Sequence, residues 1–223
     1  MIIALVLGIL AITIGGIALQ SPADDEIVIR GAPQVQREIG GLPQLGARLG
    51  SSNAPVTVQV FNDLQCAACR KWQREVVGPL IAGPVPKGQV KLVFRHFSQS
   101  QHGTTVGAIA ATAAGRQGRQ WQYIQVFFLN QAQAKKTGVT DEFLRRIGRS
   151  SAVAFDLDAW SRQRRSPKTV ARVEEDAAQS EVRRLPTGPA VVVDGPRGSR
   201  TLIQSPSLAD VRRAIAAVGG TGA

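Results

Sequence analysis

Cys66 and Cys69 are the only two cysteines in this 223-residue chain, and they sit three positions apart in the run Phe61-Asn62-Asp63-Leu64-Gln65-Cys66-Ala67-Ala68-Cys69-Arg70-Lys71-Trp72. The β-branched, partly alternating segment VTVQVF at 56–61 reads as a strand leading into the pair. Residues 70–80 carry Trp72, Val76, Val77 and Leu80 at helical spacing and lead away from it. If the helix begins at Cys66, Cys69 lies one turn on and on the same face. Cα atoms so placed are about 5–6 Å apart, within disulfide range. A bridge closing so short a loop is worth about 1.9 kcal/mol in the chain-entropy model, against ~4–5 for a hundred-residue loop. The pair is a weak staple and a well-placed redox couple. Zinc would need two further Cys or His ligands. No third cysteine exists, and His96 and His102 lack the usual ligand spacing. The spacing therefore favours a cycling dithiol over a metal site or inert cysteines, and no cofactor or metal is expected.

Position along the helix distinguishes the two sulfurs. Unpaired backbone N–H groups and the macrodipole at a helix N-terminus favour an anion. Cys66 would occupy that end, so its thiol should be acidic. Cys69, one turn deeper, should keep its proton. Cys66 is then the sulfur that exchanges with substrate, and Cys69 resolves the mixed disulfide. Arg70 and Lys71 add positive charge nearby, screened where exposed.

Residues 1–19 (MIIALVLGILAITIGGIAL) form an uninterrupted apolar run. As a helix it would be about 28 Å long, close to the ~30 Å hydrocarbon core. It is longer than a signal-peptide core, has no Lys or Arg before it and ends in a poor cleavage site. The expectation is an uncleaved single-pass anchor over 1–20. The positive-inside rule gives little help, because the first basic residue is Arg30. An oxidising dithiol belongs in an oxidising compartment, which puts the domain on the extracytoplasmic side.

The formal charge of +11 comes from 21 Arg and 6 Lys against 16 acids. The basic residues are scattered in pairs such as Arg145-Arg146 and Arg183-Arg184, without interleaved aromatics. That pattern reads as a solvated basic face and not as a nucleic-acid surface. Tethered to a membrane, such a face can rest on acidic headgroups.

Residues 21–50, rich in Gly, Pro and Gln, read as a linker with little regular structure. A second strand is expected at 89–97. Helical segments follow at 104–114, 120–131, 140–148, 157–164 and 167–182, with Thr140 and Asp156 as caps. Residues 190–193 (AVVV) and 199–204 form a hairpin across the turn Asp194-Gly195-Pro196-Arg197-Gly198. Residues 207–218 close the chain as a helix capped by Ser207 with Asp210 three positions on, and 219–223 are a tail.

This order, strand, CxxC helix, strand, helical block, strand, strand, helix, defines an α/β class: a thioredoxin-like fold with a helical insertion at about 104–182 between its two halves. The folded domain is expected over 51–218, preceded by the transmembrane helix. The chain resembles the membrane-anchored DsbA-like thiol:disulfide oxidoreductases of the thioredoxin superfamily. The resemblance rests on Leu49 to Val58, Phe61 to Cys69, Gly118-Arg119-Gln120-Trp121-Gln122-Tyr123 with Phe127-Phe128, and Thr187-Gly188-Pro189-Ala190-Val191-Val192-Val193-Asp194-Gly195. It implies a cis Gly188–Pro189 bond beside the disulfide, where the backbone pairs with substrate; Pro186 is the rival proline. It further implies an enzyme that oxidises reduced, folding secreted or envelope proteins and is reoxidised by a membrane quinone-linked partner, DsbB- or VKOR-like. An isomerase or reductase, or a non-redox peptide-binding module on the same fold, are the alternatives. Two departures stand out. The dipeptide between the cysteines is Ala67-Ala68, without the Pro or His common in the family, and Val60 stands where the superfamily often buries an acid.

Overall fold

In the computed structural model, the residues described are 27–97, 106–185 and 188–219. Four strands set the frame, three of them rich in Val and one, the exposed edge strand, polar. They are β3 (Val56–Asn62), β4 (Val90–His96), β5 (Ala190–Gly195) and β6 (Gly198–Leu202). Two short strands, β1 (Gln44–Leu45) and β2 (Arg48–Leu49), precede them, and the sheet order is β1-β2-β4-β3-β5-β6. Only β3 and β4 run parallel, in the register Val56 opposite Val90 through Asn62 opposite His96. Parallel neighbours require a crossover, and the segment after Cys66 supplies it. β4 alternates buried and half-buried residues, whereas β5, between β3 and the edge strand β6, buries all of Ala190, Val191, Val192 and Val193. Burial on both faces is what an unbroken β-branched run is suited to.

The crossover is helical from Ala67 to Ala82 but not uniformly so. α2 (Ala67–Trp72) passes into a π-helical turn at Gln73–Val77 and then α3 (Gly78–Ala82). Leu80 and Ile81 are buried there in the main core. The turn at Gly83 and Pro84 ends it.

The insertion comprises α4 (Val106–Gly115), α5 (Gln120–Leu129), α6 (Gln131–Thr137), α7 (Asp141–Ser151), α8 (Leu157–Arg164) and α9 (Pro167–Val182). Seven of the ten residues of α4 are Ala or Gly, and all seven are buried, so neighbouring helices close tightly around it. Aromatic residues fill the remaining space: Trp121, Tyr123, Phe127, Phe143 and Trp160 are fully buried. Their polar atoms are paired, Tyr123 Oη to the Leu144 carbonyl at 3.0 Å and Trp160 Nε1 to the Ala110 carbonyl at 2.9 Å. Phe94 of β4 meets Trp121 edge to face at 5.7 Å, so insertion and sheet share one core. Thr140 and Asp156 cap α7 and α8 through their side chains. Ser207 and Asp210 form a capping box on α10 (Leu208–Val218).

The expected linker over 21–50 is corrected by its described part. Residues Ala32–Ile39 form a helix, α1, with Val35 and Ile39 buried, and β1–β2 extend the sheet. Asn130 holds the strap before α1 at two points, accepting from Arg30 N at 2.8 Å and donating to Arg30 O at 2.9 Å. Trp121 Nε1 fixes the hairpin through the Ala47 carbonyl at 2.8 Å. The domain therefore begins well before residue 51. The proposed anchor over residues 1–20 lies outside the described residues. Among the described residues no helix is long and apolar enough to cross a membrane.

Candidate redox-active site

β3 leaves the sheet at Asn62, and three residues turn the chain into α2. Asp63 shapes that turn: its Oδ1 accepts from Gln65 N at 2.8 Å and its carbonyl accepts from Cys66 N at 3.3 Å. Cys66 then takes the N-cap position of α2 with extended backbone, φ −85° and ψ 121°. Its Sγ accepts from Cys69 N at 3.1 Å, the place a Ser or Asp oxygen takes in an ordinary N-cap. Cys66 and Cys69 are joined as a disulfide, their Cα atoms 5.1 Å apart. Cys66 is half-buried and Cys69 fully buried. The asymmetry read from sequence is thus present in the fold, with the accessible sulfur at the helix N-terminus and the protected one a turn inside.

Arg70 and Lys71 are exposed on α2. Val60 is fully buried, so an apolar side chain holds the position where the superfamily often buries an acid. Two residues further along β3, Asn62 donates Nδ2 to Gln73 Oε1 at 2.9 Å, a buried neutral pair tying the strand to the π-helical turn. Trp72 closes the other side, donating Nε1 to the buried Pro206 carbonyl at 2.7 Å.

Gly188 and Pro189 lie at the head of β5. Ala190 pairs with Phe61 of β3, so Pro189 sits at the end of the sheet from which the chain departs toward Cys66. Its carbonyl accepts from Ser205 N at 2.9 Å. The expected cis bond is corrected: no peptide bond among the described residues is cis, the Gly188–Pro189 bond included. Gly188 makes the turn instead, at φ 108°, a conformation open to glycine. The rival Pro186 lies outside the described residues, as does His102. His96 is buried at the end of β4, where its ring meets Gln120 at 3.2 Å and its N–H donates to Asp176 at 3.2 Å. It belongs to the core between sheet and insertion.

Sequence reasoning missed Gln131. From the start of α6 it donates Nε2 to the carbonyls of Leu64, at 2.7 Å, and Cys66, at 2.9 Å. A polar residue at the end of a predicted helix gave no signal of so distant a partner. Gln73 was missed as well, because it reads as one polar position on the CxxC helix.

A sheet with one parallel pair, a CxxC at the N-terminus of the crossover helix and a proline heading the next strand define a thioredoxin-class redox domain. The family described as Thioredoxin matches residues 44–216, and the chain belongs to it. The probable disulfide bond formation protein D of Bacillus anthracis is 27% identical over 149 residues, covering 66% of this chain and 69% of that protein. Among solved structures, oxidised BdbD from Bacillus subtilis superposes with a TM-score of 0.65 at 18% identity, over 78% of this chain and 95% of that one. Wolbachia pipientis α-DsbA1 superposes with a TM-score of 0.63 at 16% identity, over 81% and 94%. At these identities the structural likeness speaks to the fold, insertion included.

Proposed function

We propose that this protein is an extracytoplasmic thiol-disulfide oxidoreductase that introduces disulfides into secreted or envelope proteins through Cys66 and Cys69. The observation that carries the reading is the placement of Cys66 Sγ at the N-cap of α2, within hydrogen-bond range of Cys69 N. A substrate thiolate attacks Cys66 Sγ and breaks the Cys66–Cys69 bond; the leaving Cys69 sulfur takes up a proton. The substrate's second thiolate then attacks its own sulfur in the mixed disulfide and displaces Cys66 as a thiolate. The substrate has lost two electrons and the enzyme is left as a dithiol. The half-buried Cys66 is accessible to the first attack, and the buried Cys69 is not.

The helix N-terminus and the Cys69 N–H favour the Cys66 thiolate, which stabilises the reduced form and raises the potential. That favours donating a disulfide over reducing one. The relatives named for disulfide bond formation support the same direction. Substrate docks alongside Gly188 and Pro189, whose backbone lies at the open end of the sheet. Residues 1–20 anchor the chain as a single membrane span with the domain outside, and a membrane quinone-linked partner accepts the electrons. The test is the oxidised protein mixed with a reduced, unfolded substrate: substrate thiols should disappear in step with the appearance of enzyme thiols. An oxidised protein that leaves substrate thiols untouched would overturn the reading.

A further inference from the structure

We propose that Gln131 is a positioning residue for the dithiol, holding Cys66 at the helix N-terminus from the insertion side. Its amide nitrogen has two hydrogens, and the carbonyls of Leu64 and Cys66 take one each, at 2.7 and 2.9 Å. Those carbonyls flank Gln65, so one side chain spans the turn that delivers Cys66 onto α2. The donor comes from 65 positions further along the chain and is buried, which strengthens its hydrogen bonds.

The base of the clamp is itself fixed. Asn130, the preceding residue, is bonded to both backbone polar groups of Arg30 and to the Val126 carbonyl. The strap before α1 and the turn before Cys66 are thereby tied to consecutive residues.

The clamp matters most when the disulfide opens. In the oxidised protein the covalent bond fixes Cys66 against Cys69. Once reduced, the sulfur stays over the α2 N–H groups only if the backbone from Leu64 to Cys66 is held. The local ties there include the Asp63 bonds, one of them a long 3.3 Å contact, and the Arg70 N–H donating to the Cys66 carbonyl at 3.2 Å. Gln131 adds a tie from outside the helix. Donation to the Cys66 carbonyl also offsets the negative end of a dipole adjacent to the thiolate. The insertion thus takes part in setting the chemistry of Cys66.

The inference rests on the redox reading only in taking Cys66 as the titrating thiol. The test is alkylation of Cys66 against pH in the reduced full-length protein, with wild type beside Gln131→Ala and Gln131→Met. Methionine keeps the side-chain length and cannot donate. Both variants should shift the midpoint upward by about half a pH unit or more, and shift the reduction potential to more negative values. An unchanged profile in a folded variant, with only the melting temperature lowered, would overturn the inference by making Gln131 a packing residue. Should neither variant fold, the wild-type protein gives the answer. The Gln131 side-chain amide protons should shift in NMR with the Cys66 titration, and their failure to move would overturn it equally. Alkylation uses no substrate, so a protein that oxidises peptides normally but leaves Gln131 silent loses this inference alone.

Discussion

Cys69 donates its backbone N–H to Cys66 Sγ at 3.1 Å, so the peptide group of the buried cysteine faces the sulfur of the accessible one. The same contact serves the disulfide and would serve a thiolate more strongly, since hydrogen bonds to ionised acceptors are roughly twice as strong as neutral ones. The reduced form is therefore built to hold negative charge on Cys66.

That relationship fixes the behaviour of the single-cysteine variants. Cys66→Ser should abolish disulfide exchange. Cys69→Ser should accumulate mixed disulfides through Cys66, because the resolving thiol is gone while the accessible one remains. Non-reducing gels after mixing with a reduced substrate, followed by peptide mapping, check both. Trapping by Cys66→Ser instead would reverse the assignment.

The N-terminal helix should behave as part of the domain. Ile39 is fully buried, so Ile39→Ala should cost about 2–5 kcal/mol. Removal of residues 1–41 should lower the urea midpoint further than removal of residues 1–26. Urea unfolding of the three proteins decides, and equal stability for both truncations would contradict the packing.

Legibility in the sequence followed the density of local signal. The VTVQVF and AVVV runs, the caps at Thr140, Asp156 and Ser207, and the CxxC between a strand and a helix all state their structure within a few residues. Helices at 157–164 and 167–182 were readable to their ends for that reason. The helix Ala32–Ile39 was not, because two apolar residues four apart, Val35 and Ile39, are outweighed by surrounding Gly, Pro and Gln. Its helicity comes from packing on the insertion, which no local window contains. The site divides the same way. Both cysteines were visible, while Gln131 and Gln73 act through partners that only the fold brings near. The conformation of the Gly188–Pro189 bond followed from resemblance alone, and the backbone at Gly188 differs.

Trp72 gives a stability test beside the site. Trp72→Phe retains most of the apolar contact but leaves the buried Pro206 carbonyl without its 2.7 Å donor. A loss of about 1–3 kcal/mol is expected. Chemical denaturation of the oxidised protein checks it, and an unchanged midpoint would mean that the carbonyl finds another partner.

The pH dependence of stability carries opposing contributions from two neighbours. Burial holds His96 down at about 3, from an ordinary 6.5. As pH falls through 6.5 the unfolded chain gains that proton and the folded protein does not, so stability is lost down to about pH 3. The slope is at most about 1.4 kcal/mol per pH unit. Burial pushes Asp176 up to about 6 from 3.8, against the pull of Arg172 and the His96 N–H. There the folded protein takes the proton first, so stability is gained as pH falls from about 6 to 3.8. The two slopes offset across that interval. His96→Gln removes the loss and keeps the gain, so variant minus wild-type stability should grow steadily from pH 6 downward. Melting temperatures at unit pH steps measure the difference, and parallel curves would contradict the burial of His96 as a neutral ring.

The central claim is that the dithiol is built to donate disulfides, and its reduction potential tests that most directly. The Cys66–Cys69 couple, equilibrated with glutathione buffers and read by thiol alkylation, should fall near the oxidant end, toward about −120 mV. A value near about −270 mV would make this protein a reductant and contradict the account.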